Sequence, residues 1–261
     1  MVSAPTTGSK LKEYYQKSVS VAGNADTLDG YHANETQIAG YIPVLDSNAR
    51  LPYSDGWTPG GTATYASVNT ITVLTGAGSK YQIGMWVKFT QTTVKYFKIL
   101  AISDTVLTFL VNTDHTVANA AITDFYYSAQ ECPVGVSDGF NYTPTITTSW
   151  TIGNGSVVAK CWMQGKRIKA NILLTMGSTS SFGVGQVTFT GPVTNSSAFL
   201  SSGSLTVFDS SGTARTAGTA IISSGIIYPI ITGTSYGIIT NTSPYTLATG
   251  DQISVNIEYS I

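Results

Sequence analysis

The run Val157-Val158-Ala159-Lys160-Cys161-Trp162-Met163 is followed by Gln164-Gly165-Lys166 and then by Arg167-Ile168-Lys169-Ala170-Asn171-Ile172-Leu173-Leu174. Side chains alternate across an extended strand. On that period Ile168, Ala170, Ile172 and Leu174 share one face, with Arg167, Lys169 and Asn171 opposite. Two such runs around a short Gly-containing interval predict a β-hairpin. The pattern returns at the far end of the sequence, where Ile253, Val255, Ile257, Tyr259 and Ile261 alternate with Ser254, Asn256, Glu258 and Ser260. The final Ile261 is therefore expected to be built into the sheet. Between these segments, Val187-Thr188-Phe189, Leu205-Thr206-Val207-Phe208 and Ala220-Ile221-Ile222 read as further strands. Strands at this spacing predict an all-β region over residues 134–261, a C-terminal β-sandwich of jelly-roll-like kind.

Upstream, residues 57–133 read as a small β-barrel-like domain. Its strands are Thr70–Leu74, Met85–Phe89, Thr93–Leu100, Val106–Val111 and Asp124–Ser128. Short turns separate them, and Gly76-Ala77-Gly78 is one of these turns. Residues 116–123 read as a helical turn or a loop. Residues 1–56 differ: a short helix with Ser9 as its cap is expected over 9–17. It is followed by the turn signals Gly23-Asn24, Asp29-Gly30 and Asp46-Ser47-Asn48. No apolar period is sustained there, so this extended N-terminal segment is expected to order only against other subunits or a partner.

Composition narrows the function. Of 261 residues 42% are hydrophobic, which suffices for real cores, while only 10% are charged, well below the roughly 25% of an average soluble domain. Thr, Ser, Gly and Asn fill the deficit, giving strands a coat of hydroxyls and amides, as is common in extracellular β-fibres. The net charge is -1, with no basic block of the sort that phosphate binding requires, so no nucleic-acid partner is expected. The densest basic cluster, Lys160 to Lys169, alternates with apolar residues and reads as a solvated face. No apolar run is long enough to span a membrane, and no hydrophobic signal region opens the sequence. Synthesis in a cytoplasm without Sec export is expected. Cys132 and Cys161 are too few for a disulfide framework, and Cys161 reads as a small core residue.

At Asn24-Ala25-Asp26-Thr27-Leu28-Asp29-Gly30-Tyr31-His32-Ala33 the chain resembles the "ADTLDGxHA" segment of many phage tail-fibre and related virion proteins. Val44-Leu45-Asp46-Ser47-Asn48-Ala49-Arg50-Leu51-Pro52 is similar to the "LDSNGKLP" segment that often follows it, with Ala49-Arg50 in place of Gly-Lys. Residues 84–123 resemble a small β-domain of phage structural proteins. Phe140–Thr145, Gly153–Lys160 and Gly165-Lys166 resemble their C-terminal sandwich. The resemblance implies a bacteriophage virion protein, made in the host cytoplasm and usually a homotrimer. Residues 1–56 would then attach it to other phage virion proteins, with Asp26, Leu28, Asp29, Gly30 and His32 at the attachment site. Such modules are shared among tail fibres, head fibres and baseplate proteins, so the position in the virion stays open.

Catalysis is not expected. His32 and His115 are the two histidines, and neither has the spaced partner that a metal site or a catalytic triad needs. Most carboxylates stand in turns, where they bond their own backbone, so no paired acid and base for glycoside hydrolysis is read. No cofactor or metal is implied. Two roles remain: a receptor-binding fibre subunit with a distal C-terminal domain that meets a host surface polysaccharide, or a purely architectural head-fibre, decoration or collar protein. Tyr228, Tyr236 and Tyr245, in turn-rich stretches, are the candidates for receptor contact, against the alternative of core or trimer-interface packing.

Overall fold

A computed structural model describes residues 55–146, 150–183, 185–196, 201–212, 214–231 and 237–261, with the backbone of two short strands upstream. Met1–Asp55 and Gly56–Ile261 are separate units. In the first unit β1 (His32–Asn34) pairs in parallel with β2 (Tyr41–Pro43). The helix expected over 9–17 lies outside the described residues. Among the described residues the chain is all-β apart from one helical turn, and no helix is long and apolar enough to cross a membrane.

The second unit opens with β3 (Thr58–Pro59), β4 (Ala63–Ser67), β5 (Thr70–Val73), β6 (Trp86–Gln91), β7 (Thr93–Ile102), β8 (Val106–Phe109) and β9 (Thr123–Ser128). They form a seven-stranded sheet in the order β3-β9-β6-β7-β8-β5-β4. The register of β7 against β8 shifts between Ile99 and Ala101. Such a bulge bends the strand, so the first half of β7 serves β6, the second half serves β8, and the sheet curls. Inside the curl Phe97 stacks between Phe89 (ring centroids 5.1 Å apart) and Phe109 (4.6 Å). Ile71, Val87, Ile99 and Leu107 close around them without solvent exposure. Burying side chains of this kind stabilises by roughly 1.5–3 kcal/mol each. The turn expected at Gly76-Ala77-Gly78 is instead the helical turn α1 (Ala77–Lys80). The Gly76 N–H donates to Asp104 Oδ1 (2.8 Å) and Ser79 Oγ donates to Gly76 O (2.7 Å), which holds a conformation too short to stand alone. Residues 116–122 are a loop, tied down by the buried Gln91, whose amide nitrogen donates to Ala118 O (2.8 Å) and Ala120 O (3.0 Å).

The remaining strands are β10 (Phe140–Asn141), β11 (Ser156–Gln164), β12 (Arg167–Thr175), β13 (Phe189–Thr190), β14 (Ser201–Phe208), β15 (Arg215–Ser223), β16 (Ile226–Ile231), β17 (Gly237–Ile238) and β18 (Gln252–Ser260). They make one antiparallel nine-stranded sheet in the order β10-β11-β12-β18-β14-β15-β16-β13, with β17 also on β16. The hairpin of β11 and β12 runs from Ser156↔Thr175 to Gln164↔Arg167 around Gly165-Lys166. The sheet folds over on itself until Ile146 bridges Phe189, and the Thr190 N–H donates to Thr145 O (2.9 Å). Both layers of this sandwich-like body are therefore parts of one sheet. The faces follow the alternation read from the sequence: Ile168, Ala170, Ile172, Leu174, Ile253, Val255, Ile257 and Tyr259 are all buried, as is Cys161. Ile261 packs against the same core, and its N–H donates to Lys166 O (3.0 Å).

The two sheets meet on a shared core. Trp57, Trp86 and Leu110 from the first stretch belong to the same apolar cluster as Phe140, Cys161, Met163 and Ile168. Polar clamps fix the junction: Asn141 donates to Asp114 through its backbone N–H (2.7 Å) and its side-chain amide (2.8 Å), and Trp57 Nε1 donates to Val134 O (2.9 Å). At one close approach Gly84, with φ +87, faces Gly165 so tightly that a Cβ on Gly84 would stand 2.6 Å from the Gly165 Cα and nitrogen. Gly84→Ala is expected to destabilise the unit by about 3 kcal/mol, from positive-φ strain together with overpacking. At Gly165, φ is +55 and an added Cβ meets nothing within 4 Å. Gly165→Asn, which tolerates that backbone, should cost less than about 1 kcal/mol. Urea unfolding of the two variants checks the contrast, and equal losses would mean that the close approach does not constrain the fold.

A candidate binding cleft at the junction

β6 and β7 place Trp86 directly opposite Lys98 in the antiparallel register. Their neighbours Val87 and Phe97 point into the first core, so Trp86 and Lys98 share the opposite face, which the second sheet covers. This is why a lysine is 5% exposed. Its Nζ donates to Gly84 O (2.8 Å) and sits 4.4 Å from the centre of the Trp86 ring, a cation–π contact. Burial pushes the Lys98 ammonium down to about 8, against the pull of Glu131 and Cys132 in the other direction. Trp86 is held in turn by its Nε1, which donates to Glu131 O (2.7 Å), and by the Phe140 ring at 5.5 Å.

Above this pair opens a cleft of about 480 Å³, within the usual range for small-ligand sites of roughly 300–1,000 Å³. Residues 131–139 form one wall, and the ends of β11, β12 and β18 form the other. The second wall carries a cross-strand row, Trp162 beside Lys169 beside Glu258. Trp162 is half-buried. Its Nε1 donates to Asp138 Oδ1 (3.0 Å), and Lys169 Nζ lies 5.6 Å from its ring centre. Gly139, at φ +80, passes under the indole; a Cβ there would stand 2.6 Å from Trp162 Nε1, so only glycine leaves the ring its place. At the mouth Arg167 donates to Glu258 (2.7 Å). Beyond Trp162 the outer face of β11, β12 and β18 continues as a groove of about 250 Å³, with Trp162, Asn171 and Asn256 among its lining residues. Trp162 is thus common to both depressions.

The arrangement offers a fixed aromatic surface and a rim of donors and acceptors. Among the described residues no three His, Cys, Asp or Glu side chains gather to hold a metal ion. His115 is packed against Tyr96 (6.1 Å) and Phe97 (6.0 Å), and its backbone N–H donates to Asn112 Oδ1 (2.7 Å). Its imidazole is lowered from its ordinary value, chiefly by burial.

The residues singled out from the sequence are distributed differently. Asp26, Leu28, Asp29, Gly30 and Tyr236 lie outside the described residues, and only the backbone of His32, at the start of β1, is described. Tyr228 lies not in a turn but in β16, half-buried and opposite Ile221. The neighbouring Pro229 is a residue that argues against a strand. It is accommodated because β13 pairs with Ile226 and Ile227, β17 pairs with Ile230 and Ile231, and Pro229 falls between them. Tyr245 packs against the main core with a buried hydroxyl that has no hydrogen-bond partner among the described residues, and burial pushes that hydroxyl up to about 12. Neither Tyr228 nor Tyr245 lines the cleft. Trp86, Lys98, Asp138 and Trp162 were not read as site residues. The cluster from Lys160 to Lys169 is exposed as expected at its charged positions, yet it also builds the wall of a cleft. Compared with known proteins, the chain matches no family model, no curated sequence and no solved structure.

The depressed Lys98 gives a test of the seam. Below pH 8 both folded and unfolded chains carry the proton, and the folded one bears the cost of a buried ammonium. Between about 8 and the ordinary value of 10.5 the folded chain has released the proton and the unfolded chain has not. The unfolded state then binds more protons, so stability rises with pH across this window. Measured as unfolding free energy, the wild type should gain on Lys98→Met between pH 8 and 10.5. Parallel profiles would place Lys98 in solvent.

Proposed function

We propose that the chain is a non-enzymatic receptor-binding subunit of a bacteriophage fibre, a homotrimer attached to the particle through residues 1–56, and that the cleft at the junction of its two sheets is where it meets a host surface polysaccharide. The virion assignment rests on the resemblance at Asn24–Ala33 and Val44–Pro52. The binding role rests on one observation above the rest: a half-exposed Trp162, fixed by Asp138 and Lys169, beside a cleft of about 480 Å³. A rigid scaffold that presents an oriented indole among hydrogen-bonding groups suits ring stacking. Two of the carboxylates in the cleft are committed to holding the site, Asp138 to the indole and Glu258 to Arg167, which favours recognition over hydrolysis. Three copies on a trimer would raise a weak single-site affinity by avidity.

Two measurements test this reading. Light scattering on the purified chain at micromolar concentration should give a trimer, and a monomer would remove the trimeric part of the proposal. Added to susceptible cells before infection, the chain should bind them and slow adsorption. If a folded trimer does neither, an architectural role is left, and degradation of the surface polysaccharide would make the protein an enzyme instead.

A further inference from the structure

Resting on the receptor-binding reading, we infer that the cleft and the adjoining groove form one track for an uncharged, linear polysaccharide, which crosses Trp162 at an internal sugar ring and is not gripped by its end. Continuity is the first argument. Trp162 lines both the cleft of about 480 Å³ and the groove of about 250 Å³, so a ligand stacked on the indole has space to continue on either side. A site built for a chain end would be closed beyond the aromatic residue. The second argument is charge. Among the described residues the cleft has three cationic side chains, Lys98, Arg167 and Lys169, and three carboxylates, Glu131, Asp138 and Glu258. A polyanionic capsule would need an excess of positive charge along the track. Here Arg167 is paired with Glu258, and Lys98 is turned to Gly84 O and the Trp86 face. In the groove Lys160 is the one charged lining residue among the described residues, beside the amides of Asn171 and Asn256. These two amides are direct cross-strand neighbours on β12 and β18, with Asn256 exposed and the Asn171 Oδ1 buried beside it. Amides spaced along a pleated surface suit the hydroxyls of a neutral sugar chain.

The test uses the full chain on an array of neutral linear glucans, mannans and galactans from disaccharides upward, with hyaluronan and polysialic acid as the anionic set. Affinity should climb with length among neutral probes of at least one linkage type, and the anionic set should bind no better. Trp162→Ala should weaken binding about tenfold, on the order of 1.4 kcal/mol, and Trp162→Phe should keep most of it. Because Trp162→Ala could perturb the fold, Ser254→Tyr is the companion variant. It fills the groove and leaves the cleft alone, so it should flatten the length dependence while short probes bind as before. Preference for the anionic polymers, affinity independent of length, or a Trp162→Ala variant that binds like the wild type would each overturn the inference. A chain that slows adsorption but binds no neutral glycan overturns this inference alone, whereas one that does neither removes the receptor-binding reading beneath it.

Discussion

Around the Trp86–Lys98 pair, strands β6 and β7 are covered on both faces, and the rest of the second unit is organised around that constraint. On one face Val87, Phe89, Phe97 and Ile99 close the curled seven-stranded sheet; on the other Trp86 and Lys98 lie under the nine-stranded sheet. A strand pair buried on both sides acts as a shared wall, so the two sheets cannot separate without exposing a tryptophan and opening a core. The burial of Lys98 is the cost of that arrangement. It is offset by the Gly84 carbonyl and the Trp86 ring, two partners that remain available only while the wall stands.

Rigidity at the junction passes directly to the cleft. Its floor is the Trp86–Lys98 pair, and its walls come from stretches far apart in sequence, residues 131–139 on one side and β11, β12 and β18 on the other. Trp162 is oriented by hydrogen bonding at its nitrogen, by a cation near its face and by a glycine beneath it. An aromatic side chain held in this way has already lost its rotamer freedom on folding, so less remains to be lost when a ligand stacks on it.

The hairpin of residues 157–174 and the strand of residues 252–260 were legible because each has one face in water and one in the core, which writes a clean period of two. The same rule hid the site. On β7 the period sets Lys98 on the face opposite Phe97, which a local reading assigns to solvent; only the arrival of another sheet buries it, and nothing in the local pattern announces that sheet. Trp86-Val87 carries the trace of two-sided burial, two large apolar residues in succession, but a single dipeptide is weak as a signal. Tyr228 stands in a strand and not in a turn for a different reason. The chain-local preference of Pro229 was overridden by a gap between the two strands that flank β16 on one edge, a fact of tertiary pairing. The helical turn at Ala77–Lys80 depends on Asp104, distant in sequence, and was equally out of reach.

The position of β18 governs how such a chain is made. It lies between β12 and β14, which are synthesised well before it. As the nascent chain leaves the ribosome, both of these strands carry an open edge facing the vacancy that β18 later fills, and an open edge is a template for any extended chain nearby. Emergence at about 5–20 residues per second leaves that interval exposed for seconds. Sister chains on one polysome, crowded and bearing identical edges, are the nearest competitors for the place. For this sheet topology, correct assembly is a race between a strand still being translated and the same strand on a neighbour.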